Sequence, residues 1–270
     1  MPKFPWITRF DDRSVSLEVK LPIDAQSRAF VDGKIEALRG AVIPICGEDS
    51  HLRPCLLGSG ILVSYRGETI LLTAAHVLTD NANVPLFLFG KGGEAHWLDS
   101  GFWLEAASDL AAMRLSIKDL AMLSHIKPLS ESTVATAGFS GGKFYGSVVG
   151  YPASSTKRPE KNALHTPMEV YSNFGTEMMG DKVSILFDWK EGAFNDVKGH
   201  NKARKPTGKS GGAILGFPVS AGSVVLGMKP QLVGVSSRWK REENRIEGSG
   251  HSSIRRILEK ATTSDPCDTY

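Results

Sequence analysis

From Ala41 onward the chain sets short apolar runs between turn residues: "AVIPI", "GILVSYRGETILLTAA", "VPLFLFG", "AAMRLSI", "GSVVGYP", "KVSILFDW", "AILGFPV", "SVVLGM" and "QLVGVSS". Runs of this length, punctuated by glycine and proline, predict an all-β sandwich or barrel. "SYRGET" lies between two such runs and predicts a hairpin turn. The ends of the chain have a different period. In "IDAQSRAFVDGKIEALRG" the residues Phe30, Val31, Ile35 and Leu38 recur at helical intervals, with Asp24 as a cap and Gly40 as a stop. That segment is either an amphipathic extension packed on the main domain or a mobile tail. In "SSIRRILEKATT" the residues Ile254, Ile257 and Leu258 share one face, with Ser252 or Ser253 as the cap, which predicts a closing helix. The stretch poorest in apolar runs, Lys190 to Lys209, reads as a long irregular loop leading into Ser210.

Composition narrows the class. The 270 residues, 41% of them hydrophobic, suffice for one large domain or two small ones sharing a core. About 18 consecutive apolar residues, the length needed to cross a membrane, occur nowhere. The first residues also lack a signal-like apolar core, so a cytoplasmic location is expected. Three cysteines, Cys46, Cys55 and Cys267, cannot all pair, and whether Cys46 and Cys55 do stays open. Cys46, His51 and Cys55 would make half a metal site, but no second half follows, so neither metal nor cofactor is expected. A net charge of +3 is too mild to indicate nucleic acid, and Glu242, Glu243 and Glu247 interrupt the basic cluster "SRWKREENR".

Three positions carry candidate chemistry. "LLTAAHVL" puts His76 just beyond a buried strand, and "SDLAAMRL" puts Asp109 at the entry to another. A carboxylate there is costly unless it is hydrogen-bonded, and a histidine N–H is a suitable partner. "PTGKSGGAIL" sets Ser210 in a glycine-rich turn. Acyl transfer needs a hydroxyl, a base, a carboxylate to orient the base and N–H donors for the oxyanion. The order His76, Asp109, Ser210 is that of chymotrypsin, whereas subtilisins run Asp, His, Ser and α/β-hydrolases run Ser, Asp, His. Asp99 is a weaker carboxylate because no apolar run follows it at once. Ser140, in a second Ser-Gly-Gly, follows Asp109 too soon to be the nucleophile.

With "GSGILVS", "LLTAAHVL", "SDLAAMRL", "VVGYPAS", "GKSGGAIL" and "LVGVSS" in this order, the chain resembles the chymotrypsin-like serine proteases, in particular the bacterial branch related to the high-temperature-requirement proteases. The resemblance implies two antiparallel six-stranded β-barrels: residues 41–128 with His76 and Asp109, and 129–262 with Ser210 and the closing helix 252–262. Residues 1–40 would be the extension and 263–270 a tail. It further implies a serine endopeptidase acting on protein or peptide, with an oxyanion hole formed by the Gly208 and Ser210 amides. Ser236, Ser237 and Arg238 would form one wall of the substrate pocket, with Arg204 on the other side. Arg204, Lys205 and Arg238 would suit an acidic substrate side chain if they are more than solvated surface charge. A catalytically weak relative that only binds is the alternative. One residue departs from the pattern. Lys209 stands where the digestive proteases carry an aspartate that pairs with a newly cut chain terminus, a bond lysine cannot make.

Overall fold

Arg66 and Gly67 both adopt the left-handed backbone, with φ of 51° and 84°, and this two-residue turn closes Tyr65 onto Glu68. The predicted hairpin is thus the centre of the first sheet. The structure, a computed structural model, describes residues 25–99, 101–158, 164–179, 181–188, 192–195, 199–202, 205–220 and 223–264. After the helix α1 (Ala25–Leu38) come β1 (Val42–Glu48), β2 (Pro54–Tyr65), β3 (Glu68–Ala74), the short helix α2 (Ala75–Thr79), β4 (Phe87–Phe89), β5 (Ala95–Trp97), β6 (Trp103–Glu105) and β7 (Leu110–Arg114). These seven strands make one antiparallel sheet in the order β5-β4-β1-β2-β3-β7-β6.

The second sheet follows helix α3 (Ile117–Met122). Its strands are β8 (Lys143–Gly150), β9 (Glu169–Met178), β10 (Lys182–Leu186), β11 (Gly192–Asn195), β12 (Gly199–Lys202), β13 (Ala213–Ser220), β14 (Ser223–Val224), β15 (Gln231–Lys240) and β16 (Arg245–Gly250), before the last helix α4 (His251–Thr263). Six of them, β8-β9-β10-β16-β15-β13, close on themselves as a barrel, because β9 pairs with both β8 and β10. The all-β, two-sheet architecture with a helix at each end is the chymotrypsin-like arrangement that the resemblance implied. The strand count differs on the first side, where seven strands follow an open path rather than a six-membered ring.

The apolar runs are continuous because both faces of these strands are buried. In β2 and β3, Ile61, Val63, Ile70 and Leu72 face a core shared by the two sheets, while Leu62 and Leu71 fill the inside of the first. In β8 and β13, Val149, Ala213 and Leu215 face the shared core, whereas Val148 and Ile214 fill the barrel. Val31 and Ile35 of α1 and Ile254, Ile257 and Leu258 of α4 also enter the shared core. From Ala25, where the described residues begin, this helix is therefore packed on the main domain, with Phe30 edge-on to Phe217 of β13 at 6.2 Å.

Two local expectations change, and one open question closes. The stretch Lys190–Lys209, read as an irregular loop, contains the β11–β12 hairpin, joined to β9 through Phe194↔Val170 and Asn195↔Glu169. Its sequence, "GAFN" and "GHNK", has no apolar run to announce strands at a sheet edge. Neither Ser252 nor Ser253 caps α4 with its side chain. Gly250 is the cap residue, and the carboxylate of Asp181, in the turn before β10, accepts the amides of Ser252 (3.2 Å) and Ser253. Cys46 and Cys55 are both free thiols. Cys46 pairs with Leu56 and Cys55 with Gly47, so strand alternation turns the two side chains to opposite faces. Among the described residues no helix is long and apolar enough to cross a membrane.

Asp181→Ala is expected to lower stability by about 1 kcal/mol, the usual worth of a helix cap, and the melting temperature by about 2–4 °C. Thermal unfolding followed by circular dichroism measures it.

Candidate active site

The β3–β7 ladder sets the first half of the site. Ala74 pairs with Leu110, and the register continues one step further, where the Ala75 amide donates to the Asp109 carbonyl at 3.1 Å. His76 and Asp109 are thereby brought side by side at the end of two adjacent strands. The Asp109 backbone is left-handed (φ 51°, ψ 47°), closing a helical turn over Ala106–Ser108 and aiming its carboxylate back at α2. Its Oδ2 lies 2.8 Å from His76 Nδ1, and its Oδ1 accepts the His76 backbone N–H at 3.0 Å. Both groups are half-buried.

These bonds set the protonation behaviour. The side-chain hydrogen bond to Asp109 raises the His76 pKa above the ordinary 6.5, against an opposing effect of burial. Burial pushes the Asp109 carboxyl up, but the two bonds from His76 outweigh it and hold it below the ordinary range. The Arg238 charge disfavours protonation of both groups. With Nδ1–H on the carboxylate, the imidazole is fixed in the tautomer that leaves Nε2 free to accept a proton.

The second half is the turn before β13. Gly208 has φ 92°, and a Cβ there would lie 2.5 Å from the Ala153 nitrogen. Gly211 has φ 82°, and a Cβ there would lie 2.0 Å from the Ser59 carbonyl oxygen. Only glycine fits both places. The Gly211 amide donates to Ser236 O at 2.7 Å, and the Ser236 amide to Gly212 O at 2.8 Å, which fastens the turn to β15. Among the described residues neither the Gly208 nor the Ser210 amide donates a hydrogen bond. Ser210 Oγ donates to the Ser237 carbonyl at 3.1 Å.

The two halves meet at Gly58 and Ser59 in β2. The Ser59 amide donates to Ser210 O at 2.7 Å, its carbonyl accepts Thr73 Oγ1 at 2.7 Å, and its hydroxyl donates to Gly208 O at 3.3 Å. A Cβ on Gly58 would touch both Val77, next to His76, and Ser210 O. Behind Asp109, the Ser249 hydroxyl of β16 donates to the Ser108 carbonyl, tying that turn to the barrel.

The chain matches no family model and no curated protein sequence. Solved structures do resemble it. A Glu endopeptidase in complex with MPD shares 12% identity over 82% of this chain and 91% of that chain, with a TM-score of 0.49. The HtrA-type protease AlgW with a decapeptide shares 16% over 86% and 67%, with a TM-score of 0.47. The Rv3671c protease from M. tuberculosis, in its active form, shares 12% over 94% and 96%, with a TM-score of 0.46. All three are proteases by name.

The remaining expected site residues are distributed unevenly. Ser236 is buried, and its hydroxyl donates to the Lys209 carbonyl, so it supports the turn from beneath rather than lining a surface. Ser237 is half-exposed and offers its carbonyl to Ser210. Arg238 is exposed beside it, at an irregularity in the β15–β16 ladder. Arg204 lies outside the described residues, and Lys205 is exposed. Two residues near the turn were not singled out in the sequence, Ser59 and Glu169. Ser59 had a signal, as the central residue of Gly58-Ser59-Gly60, a spacing that suits close approach of two backbones. Glu169 had none. It receives Lys209 Nζ at 2.8 Å, and both side chains are buried.

Asp109→Asn should lower the His76 pKa, because the bond that favours imidazolium loses its charge. Titration of the His76 ring resonances by NMR is expected to place the wild-type midpoint above 6.5 and the variant midpoint below the wild-type value.

Proposed function

We propose that the chain is a serine endopeptidase in which His76, Asp109 and Ser210 form the catalytic triad. The observation that carries this reading is the double hydrogen bond between His76 and Asp109, across the Ser59 seam from a serine turn with two undonated amides. In the proposed reaction the Ser210 hydroxyl turns from the Ser237 carbonyl toward His76 Nε2 and gives up its proton. Its oxygen bonds to the substrate carbonyl carbon, and the displaced electron pair settles on the carbonyl oxygen between the Gly208 and Ser210 N–H groups. The C–N bond then breaks as His76 passes the proton to the leaving amine, and water repeats the sequence to free the acid and Ser210. Asp109 holds the imidazole in place and stabilises its charged form.

The contact between Ser210 Oγ and Ser237 O favours a second reading, a binding module whose serine is held off the base. A fluorophosphonate probe separates the two. Labelling of the wild type, lost in Ser210→Ala and His76→Ala, is expected; a folded wild type that stays unlabelled would favour the binding module. The acid limb of kcat/KM should lie above pH 6.5, because His76 is protonated, and unable to act as base, below its raised pKa.

Arg238 supports an acidic substrate preference. Its cross-strand partner Glu247 pairs with Lys240 at 3.4 Å instead, and its charge reaches the His76–Asp109 pair. A peptide library should show cleavage after Glu or Asp, with Arg238→Ala lowering kcat/KM for those peptides by about tenfold to a hundredfold, the worth of a charged hydrogen bond. Cleavage only after small apolar residues would refute the preference.

A further inference from the structure

Lys209 stands directly before Ser210, and its side chain points inward. Its Nζ meets Glu169 Oε1 at 2.8 Å, with side chains only 1% and 2% exposed. Two charges in such a place are costly, and an apolar pair of similar volume usually serves packing as well or better. The pair therefore calls for a role other than stability. The surrounding geometry supplies one. Glu169 begins β9 and pairs on one side with Gly150 of β8 and on the other with Asn195 of β11, so it is a fixed post within a ladder. Lys209 belongs to the turn, and its Cα and Cβ lie 3.3 Å from where a Cβ on Gly150 would be.

A fully buried side chain held at its far end limits how far its Cα–Cβ bond can swing, and so restrains the two peptide planes that meet at that Cα. The peptide following Lys209 carries the Ser210 N–H. The peptide preceding it carries the Gly208 carbonyl, which accepts the Ser59 hydroxyl. The Lys209 amide donates to Pro206 O at 2.9 Å, and its carbonyl accepts the Gly212 amide at 2.9 Å and the Ser236 hydroxyl. Each of these bonds is compatible with the inward side chain. Swinging Lys209 out to water would need the backbone on either side of it to turn, and the Ser210 amide belongs to that backbone.

We propose that Glu169 is a positioning residue that holds the oxyanion-binding turn in its working shape by anchoring Lys209. Both partners are side chains of the same chain, so folding alone sets the turn, and no cleavage is needed to liberate a charge. This rests on the serine endopeptidase reading.

The full-length protein is compared with Glu169→Gln, Glu169→Met/Lys209→Met and the exchanged pair Glu169→Lys/Lys209→Glu, with thermal melts to establish folding. The exchange keeps one charge of each sign in the same space and covers the case in which the single variant fails to fold. In folded Glu169→Gln and in the double methionine variant, kcat is expected to fall about a hundredfold, near the worth of one oxyanion donor. KM should stay within threefold and the acid limb should not move, since His76 and Asp109 are untouched. The exchanged pair should regain at least tenfold. A wild type carrying an extended, blocked N-terminus should keep full activity. Folded variants whose kcat stays within threefold, losses taken in KM, or activity that appears only after N-terminal cleavage would overturn the proposal. A wild type that neither reacts with the probe nor turns over would instead overturn the endopeptidase reading, and this inference with it.

Discussion

The hydrogen bond from the Ser59 amide to the Ser210 carbonyl joins the two halves of the candidate site. His76 and Asp109 stand at the end of the first sheet, and Ser210 stands before β13 in the barrel, so their relation depends on how the sheets are docked. Docking by apolar contact alone tolerates small slips, because hydrophobic attraction has no direction. Ser59 adds direction. It contacts the turn through its amide and its hydroxyl, while Thr73 holds its carbonyl from β3, the strand that leads to His76. The glycines at 58 and 211 are required by the same contact, since a side chain on either would enter the space that this approach occupies.

Around that contact the shared core distributes the load. Strands buried on both faces contribute alternate residues to the inside of their own sheet and to the joint between sheets. The helices at either end add Val31 and Ile35 from one side, and Ile254, Ile257 and Leu258 from the other. Ser249 reaches back to the Ser108 carbonyl, so the Asp109 turn is tied to the barrel by a second polar contact on the far side of the site. Polar bonds fix the register, and apolar area supplies the affinity between the halves.

What was legible in the sequence follows from this division. Strands with two buried faces, such as β2, β3, β8 and β13, show as apolar runs and were readable. The strands β5, β6, β11 and β12 toward the sheet edges, and strands with polar and glycine residues packed closely, were not. β16 reads "RIEGSG" and has five buried residues because Gly248 and Gly250 let neighbouring backbones approach. β9 begins with Glu169 and shows no run either. His76, Asp109 and Ser210 were nameable because each stands beside a readable strand in a telling order. Glu169 was hidden for a physical reason. Its partner is 40 residues away, and a lone carboxylate at a strand start gives no hint that it faces a buried lysine.

The two acid–base pairs of the site differ mainly in their access to water. His76 and Asp109 are 34% and 36% exposed, while Lys209 and Glu169 are 1% and 2% exposed. In the role proposed for His76, a base that takes up and releases a proton in each cycle needs a charge-neutral and a charged form of similar free energy, which partial hydration favours. An anchor needs the opposite condition. Burial disfavours the charged lysine by desolvation and holds its pKa below the ordinary value, although the adjacent carboxylate opposes that effect; releasing either partner alone would leave an unpaired charge in the interior. Under the proposed roles, the same elementary contact, a nitrogen 2.8 Å from a carboxylate oxygen, is the exchanging element at one position and the fixed one at the other.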